Sequence, residues 1–164
     1  MHSTMARHLE DTYLEEYVAL RGQLLDAIDT EDLSLRLGGD TETLGALCRE
    51  IGEIEHGYIE SFRTFRHRLD WRHPDPGIAT SVDGLRAWYA ELDRDLLGAL
   101  DALTEADLDR RIDRDDFDAS QFSPRAAQEL DVYREALLIF YGKASIYLRA
   151  LGRKFPGDWP VWIG

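Results

Sequence analysis

The sequence predicts an all-α protein, an up-and-down four-helix bundle with a long acidic connection before the last helix. Three observations carry that expectation. Four stretches of about 22–28 residues repeat apolar side chains at spacings of three and four, the period of a helix with one buried face. Breakers stand between them: Gly38-Gly39-Asp40, then DWRHPDPGIAT over 70–80, then an acidic run over 104–123. The chain has 164 residues, 44% apolar and 31% charged, which suits one domain over 1–164 with a core that needs no staples.

Ser3 or Thr4 can cap the first helix, which runs to about Asp29 with Leu9, Tyr13, Tyr17, Leu20, Leu24 and Ile28 inward. The segment Thr30–Leu37 reads as a short helical turn with Thr30 as its cap. The second helix begins near Thr41 or Thr43 and runs to about Arg68, with the stripe Leu44, Leu47, Ile51, Ile54, Tyr58, Phe62 and Phe65. Two prolines and a glycine make Asp70–Thr80 a loop. Ser81 caps the third helix, which runs to about Leu103 with Leu85, Tyr89, Leu92, Leu96 and Leu100 inward. Residues Thr104 to Ser123 read as irregular, with Ile112 and Phe117 pinning a short extended segment. Ser123 and Pro124 open the last helix, which ends at Leu151 before Gly152 and Pro156. The tail FPGDWPVWIG carries two tryptophans, expected to fold back over one end of the bundle.

The last helix organises the chain. One face holds Leu130, Tyr133, Leu137, Phe140, Ala144, Tyr147, Leu148 and Leu151; the other holds Leu138, Ile139, Gly142 and Ile146. An outer helix of a small monomer is polar on its second face, so this pattern predicts a subunit interface there. The net charge of −13 argues against nucleic acid and against an anionic membrane surface, both of which need clustered Lys and Arg. No stretch approaches a membrane span or a signal peptide's apolar run. The single cysteine, Cys48, excludes an internal disulfide and suits a reducing, cytoplasmic setting.

Several residues invite a chemical reading. Glu53-Ile-Glu-His56 places a carboxylate and an imidazole one turn apart, as di-iron bundles require, but no second copy exists. With Leu47, Ile54 and Phe65 inward, His56 falls about 180° away, on a solvated face. His67 and His73 lack ligand spacing and read as exposed loop residues. Asp113, Asp115, Asp116 and Asp118 lack the glycine and the closing acid of a calcium loop. Glu50 lies about 60° off the inward stripe, where it either snorkels to solvent or lines a pocket with a raised pKa. Tyr133, Tyr141 and Tyr147 either present hydroxyls to such a pocket or pack in the core.

At this point the chain resembles the DinB-like (DinB/YfiT) superfamily over nearly its whole length. The resemblance rests on Asp29-Thr-Glu-Asp-Leu33, on Thr43-Leu-Gly-Ala-Leu47-Cys-Arg-Glu50-Ile-Gly-Glu-Ile-Glu55, and on Gly142-Lys-Ala-Ser-Ile-Tyr147-Leu148-Arg149-Ala-Leu-Gly152 followed by Pro156. It implies a four-helix bundle, a homodimer and, in many members, a divalent metal on three histidines, some of them thiol-dependent transferases. The three histidine positions map onto Glu50, Ala136 and Phe140, none of which is histidine.

The expectation is therefore a cytoplasmic homodimeric scaffold without the family's metal site and with no cofactor. Its candidate ligand cleft is Glu50, Tyr133, Ala136 and Phe140, and its candidate dimer seam is Leu138, Ile139, Gly142 and Ile146. The expected role is binding a small molecule or a stress-associated function. The rival is a transferase or hydrolase, metal- or thiol-dependent, that uses Glu50; it needs Glu50 in a cavity with at least two polar partners, and a solvated Glu50 counts against it.

Overall fold

The computed structural model describes residues 3–114 and 122–163, without the side chains of 13–15. Among the sequence expectations, those on His2, Asp115, Asp116, Phe117, Asp118 and the Tyr13 side chain lie outside the described residues.

Four long helices form the bundle. The first, α1, is wound as α over Thr4–His8, as π over Leu9–Val18 and as α again over Ala19–Asp26. Ser3 caps it, its side chain accepting from the Ala6 amide at 3.1 Å. The second, α2, spans Leu44–Thr64, with the Thr43 hydroxyl accepting from the Ala46 amide at 3.0 Å. The third, α3, spans Val82–Asp101, capped by Ser81 on the Gly84 amide at 3.0 Å. The fourth, α4, spans Ala126–Ala150, and a last turn, α5, spans Trp159–Trp162. Packing of α2 against both α3 and α4 closes the core, while α1 lies against α3 and α4.

Three boundaries differ from the sequence expectation. First, α2 stops four residues early because Phe65 takes the left-handed conformation (φ 59°) and caps it, its amide bonding the Ser61 carbonyl. The chain then turns into β1 (Arg66–His67), which pairs in parallel with β2 (Asp113–Arg114). That pairing removes Phe65 from the helical stripe and makes Ile112, fully buried, the pin of the acidic connection. Second, the Thr30–Ser34 turn begins after Asp29 rather than at a Thr30 cap; the Asp32 carboxylate accepts from the Asp29 amide at 2.9 Å. Third, α4 starts at Ala126 because Pro124 and Ala126 are tied to the connection, through Ile112 N–H to Pro124 C=O and Ala126 N–H to Arg110 C=O, each 2.8 Å.

Gly152 (φ 68°) ends α4, with the Arg153 amide returning to the Leu148 carbonyl at 2.9 Å, a Schellman stop. Beyond it, Trp159 is fully buried and donates its Nε1–H to the Leu20 carbonyl at 2.9 Å. Trp162 stays partly exposed against the Tyr17 ring. One tryptophan of the two thus plugs the end.

Gly45 marks where α2 touches the turn Pro76–Thr80: a Cβ there would come 1.9 Å from the Ala79 carbonyl oxygen. Backbone cannot yield as a side chain can. Gly45→Ala should therefore lower stability by about 1–3 kcal/mol despite alanine's better helix propensity. An unchanged urea midpoint would mean this contact does not form.

Candidate functional site

The groove between α2 and α4 brings together three of the four cleft positions. Glu50, Ala136 and Phe140 line one small cavity of about 120 Å³ with Leu47, Ile54 and Lys143. It adjoins two larger hollows of about 320 and 370 Å³, which share Glu50 and Glu42. Glu50 itself is 48% exposed, and Lys143 Nζ lies 3.9 Å from its Oε2. Tyr133 is not in this groove; it lies fully buried in the bundle interior. Tyr141 is also a core residue, donating its hydroxyl to the Tyr17 carbonyl, whereas Tyr147, mostly buried, lines the hollow of about 320 Å³ and donates its hydroxyl to the Glu42 carbonyl.

The Glu53/His56 pair serves the loop rather than a metal. Glu53 is nearly buried, accepting from Arg49 Nε at 2.6 Å and from the His73 amide at 3.0 Å, with Arg72 Nε at 3.5 Å. His56 is not on a solvated face: its ring stacks on Trp71 at 3.8 Å between centroids, and burial lowers its pKa. The buried face of α2 is centred on Ile51, Glu55, Tyr58 and Phe62, three of them in the expected stripe, and lies about 60° from the direction set by Leu47, Ile54 and Phe65. That puts His56 about 130° from the centre, on the flank where loop 70–80 packs. His67 is likewise corrected. It is fully buried in β1 beside the Tyr58 ring, and burial together with Arg114 holds its pKa down to about 4. His73 packs edge-on against Trp88 at 4.6 Å.

Sequence reasoning missed the main polar feature. Arg21 of α1, fully buried, donates one guanidinium nitrogen to Glu55 Oε2 of α2 and another to Asp93 Oδ1 of α3 at 2.7 Å. Its guanidinium also lies 4.1 Å over the Tyr89 ring. Among the described residues, the Tyr133 hydroxyl and Glu55 Oε1 find no partner outside this centre, where the hydroxyl faces the Glu55 carboxylate. Burial raises the Glu55 pKa to about 7, against the opposing pull of Arg21. Tyr89, Tyr133 and Tyr141 are pushed above their ordinary range by the same burial, and Cys48 is pushed up to about 12. The signal was present in the spacing: Arg21 is Tyr17 + 4, Glu55 is Ile51 + 4 and Asp93 is Tyr89 + 4, each a charge on an inward stripe. A second buried pair, Arg114 Nη1 to Glu129 Oε2 at 3.1 Å, ties β2 to α4.

Residues 18–133 match the sequence profile of the DinB superfamily. The chain belongs to the DinB superfamily. Its fold is similar to a DinB-like protein of Bacillus subtilis (14% identity, TM-score 0.69, covering 94% of this chain and 96% of that one). A DinB-like protein of Bacillus cereus is also similar (19% identity, TM-score 0.72, covering 96% and 99%). No curated protein matches by sequence.

The family's three-histidine metal site does not fit the residues present. Glu50 offers a carboxylate, Ala136 offers nothing and Phe140 fills its place with a ring. Lys143 already stands beside the one acidic donor, so a divalent cation would meet a like charge. Among the described residues, no three His, Cys, Asp or Glu side chains are grouped to hold a metal, and no helix is long and apolar enough to cross a membrane.

Removing one partner of a buried ion pair strands the other charge. Arg21→Met should cost about 3–5 kcal/mol, and the double variant Arg21→Met/Glu55→Leu should recover much of that in urea unfolding. If the double variant is no more stable than the single, the pair is not what the loss reports. The pH dependence has two opposing parts. Glu55 titrates near 4.5 when unfolded and about 7 when folded, so its stabilising contribution is full below pH 4.5 and lost as pH rises through 7. His67 titrates near 6.5 unfolded and about 4 folded, so its contribution is full above pH 6.5 and lost as pH falls through 4. Glu55→Gln should thus leave stability rising more steeply across this window than in the parent; an unchanged slope would remove Glu55 from the account.

Proposed function

We propose that this DinB-superfamily chain is a non-metal scaffold that binds a small molecule in the α2–α4 groove and works as a homodimer. The observation that carries the reading is the groove itself. Where the family pattern would place metal donors, it has an apolar floor of Leu47, Ile54, Ala136 and Phe140, with a single Glu50–Lys143 pair at its rim. Such a site selects mainly by apolar contact and shape, with one charge pair to orient the ligand. The groove's neighbourhood also supports the dimer. Ile139 is 61% exposed and Ile146 55%, Leu138 is exposed beside them, and the same helix face carries Gly142, where a Cβ would meet nothing within 4 Å. Ile139 and Ile146 line the groove's hollows, so a second copy seated on this face would also wall the ligand site.

The enzyme reading draws less support. Glu50 is 48% exposed, and of the charged groups that share its 370 Å³ hollow, Arg49 and Arg72 are already paired with Glu53.

Sedimentation of the untagged chain should give a dimer mass, and Ile139→Glu should give monomers. A parent that sediments as a monomer, or a variant of unchanged dimer mass, refutes the seam. Elemental analysis of the same preparation should find no stoichiometric metal; one ion per chain would overturn the non-metal reading.

A further inference from the structure

A second hollow, of about 360 Å³, lies between a different pair of helices, α1 and α3. Val18, Leu25 and Ala90 make its walls apolar, and Arg86 at its edge is held by Asp26 at 2.7 Å. Arg21 lies beneath, its guanidinium taken up by Glu55 and Asp93. Asp93, 26% exposed, is the only carboxylate in the lining. Arg21 engages its Oδ1, while Oδ2 makes no hydrogen bond or ion pair among the described residues.

The charges do not balance. With Glu55 and Asp93 ionised, Arg21 leaves one negative charge uncompensated at the head of the hollow. The other titratable groups facing Arg21 and Glu55 are Tyr89 from α3, Tyr133 and Tyr141 from α4 and, beside Tyr89, Cys48 from α2; burial holds all four neutral. A proton on Glu55 can cancel the excess from inside, and a cation on Asp93 can cancel it from the hollow. The space for a guest is kept by Gly22. It lies inside α1, its Cβ would meet nothing within 4 Å, and no contact among the described residues demands a glycine there.

We propose that this hollow binds a small organic cation, a primary ammonium on a short apolar body, with its charge on Asp93 Oδ2 and its body between Val18, Leu25 and Ala90. A metal ion is disfavoured because the hollow offers one free carboxylate oxygen and apolar walls. A quaternary ammonium would need a free aromatic face, and the Tyr89 face is already taken by Arg21. Occupancy competes with the proton on Glu55, so binding releases a proton and tightens as pH rises through the range where that carboxyl ionises.

The test is calorimetric titration of the full chain with n-butylammonium chloride at about pH 8, with sodium chloride at matched ionic strength as control and butan-1-ol as the uncharged isostere. The expected result is saturable binding of one ammonium per chain and none of the alcohol. Asp93→Asn and Gly22→Leu, both checked for native helix content, should each weaken binding by about tenfold or more. Binding at about pH 5 should be weaker than at pH 8. No saturable binding, or equal binding of butan-1-ol by the parent, overturns the proposal whatever the variants do. Undiminished binding by folded Asp93→Asn overturns the ammonium contact, and by folded Gly22→Leu overturns the location.

Discussion

The bundle depends on one buried ionic contact. Arg21 can be taken out of water only if both ends of its guanidinium fork find acceptors, and those acceptors come from two other helices, Glu55 of α2 and Asp93 of α3. A purely apolar interface between α1 and its neighbours would tolerate a slip of one helical turn with modest repacking. A fork that must meet two carboxylates does not, because a slipped register leaves charge buried without a partner. The π-wound stretch of α1 belongs to the same constraint. It ends at Val18, immediately before Arg21's turn, and the Tyr17 carbonyl at that junction accepts the Tyr141 hydroxyl from α4. All four helices are therefore registered through one polar centre, and the apolar stripes fill the space around it.

The other buried pair plays the same part at the end of α2. Once Phe65 turns the chain out of the helix, β1 pairs with β2, and Arg114 reaches Glu129 on α4. The loop that follows is held back onto α2 by Glu53, which accepts the His73 amide, and by Trp71 stacked on His56. These contacts decide what faces the α2–α4 groove. Glu53 and Arg49 spend their charges on the loop, so Glu50 and Lys143 remain the charged pair at the groove's narrow centre.

Much of this was legible in the sequence for a physical reason. Helix caps and apolar periodicity are local, so Ser81 and Gly152 could be placed from their neighbours alone, and Ser3 and Thr43 each stood as one of two candidates. The convergence of Glu50, Ala136 and Phe140 was legible through the family resemblance. What failed was phase. Taking the phase of α2 from Leu47, Ile54 and Phe65 turned the helix by about 60°, which sent His56 to solvent and hid a buried glutamate. The rule that charges lie outside made that choice natural; only tertiary partners make a buried Arg21, Glu55 or Asp93 affordable, and partners are not visible in one helix. The two-residue β ladder that buries His67 was invisible because it joins Arg66 to Asp113 and His67 to Arg114, far apart in sequence.

The positions onto which the family resemblance maps three histidines are filled here by Glu50, Ala136 and Phe140. A metal centre built from facing helices supplies concentrated positive charge and draws its ligands together across the gap. Here the gap is closed by other means: Phe140 packs into the core, Ala136 leaves a shallow space, and the positive charge beside Glu50 is the chain's own Lys143. These side chains close the α2–α4 contact, and the Arg21 centre deeper in the bundle registers the helices. A scaffold whose helices are locked from inside can change the lining of its outer grooves at little cost to stability.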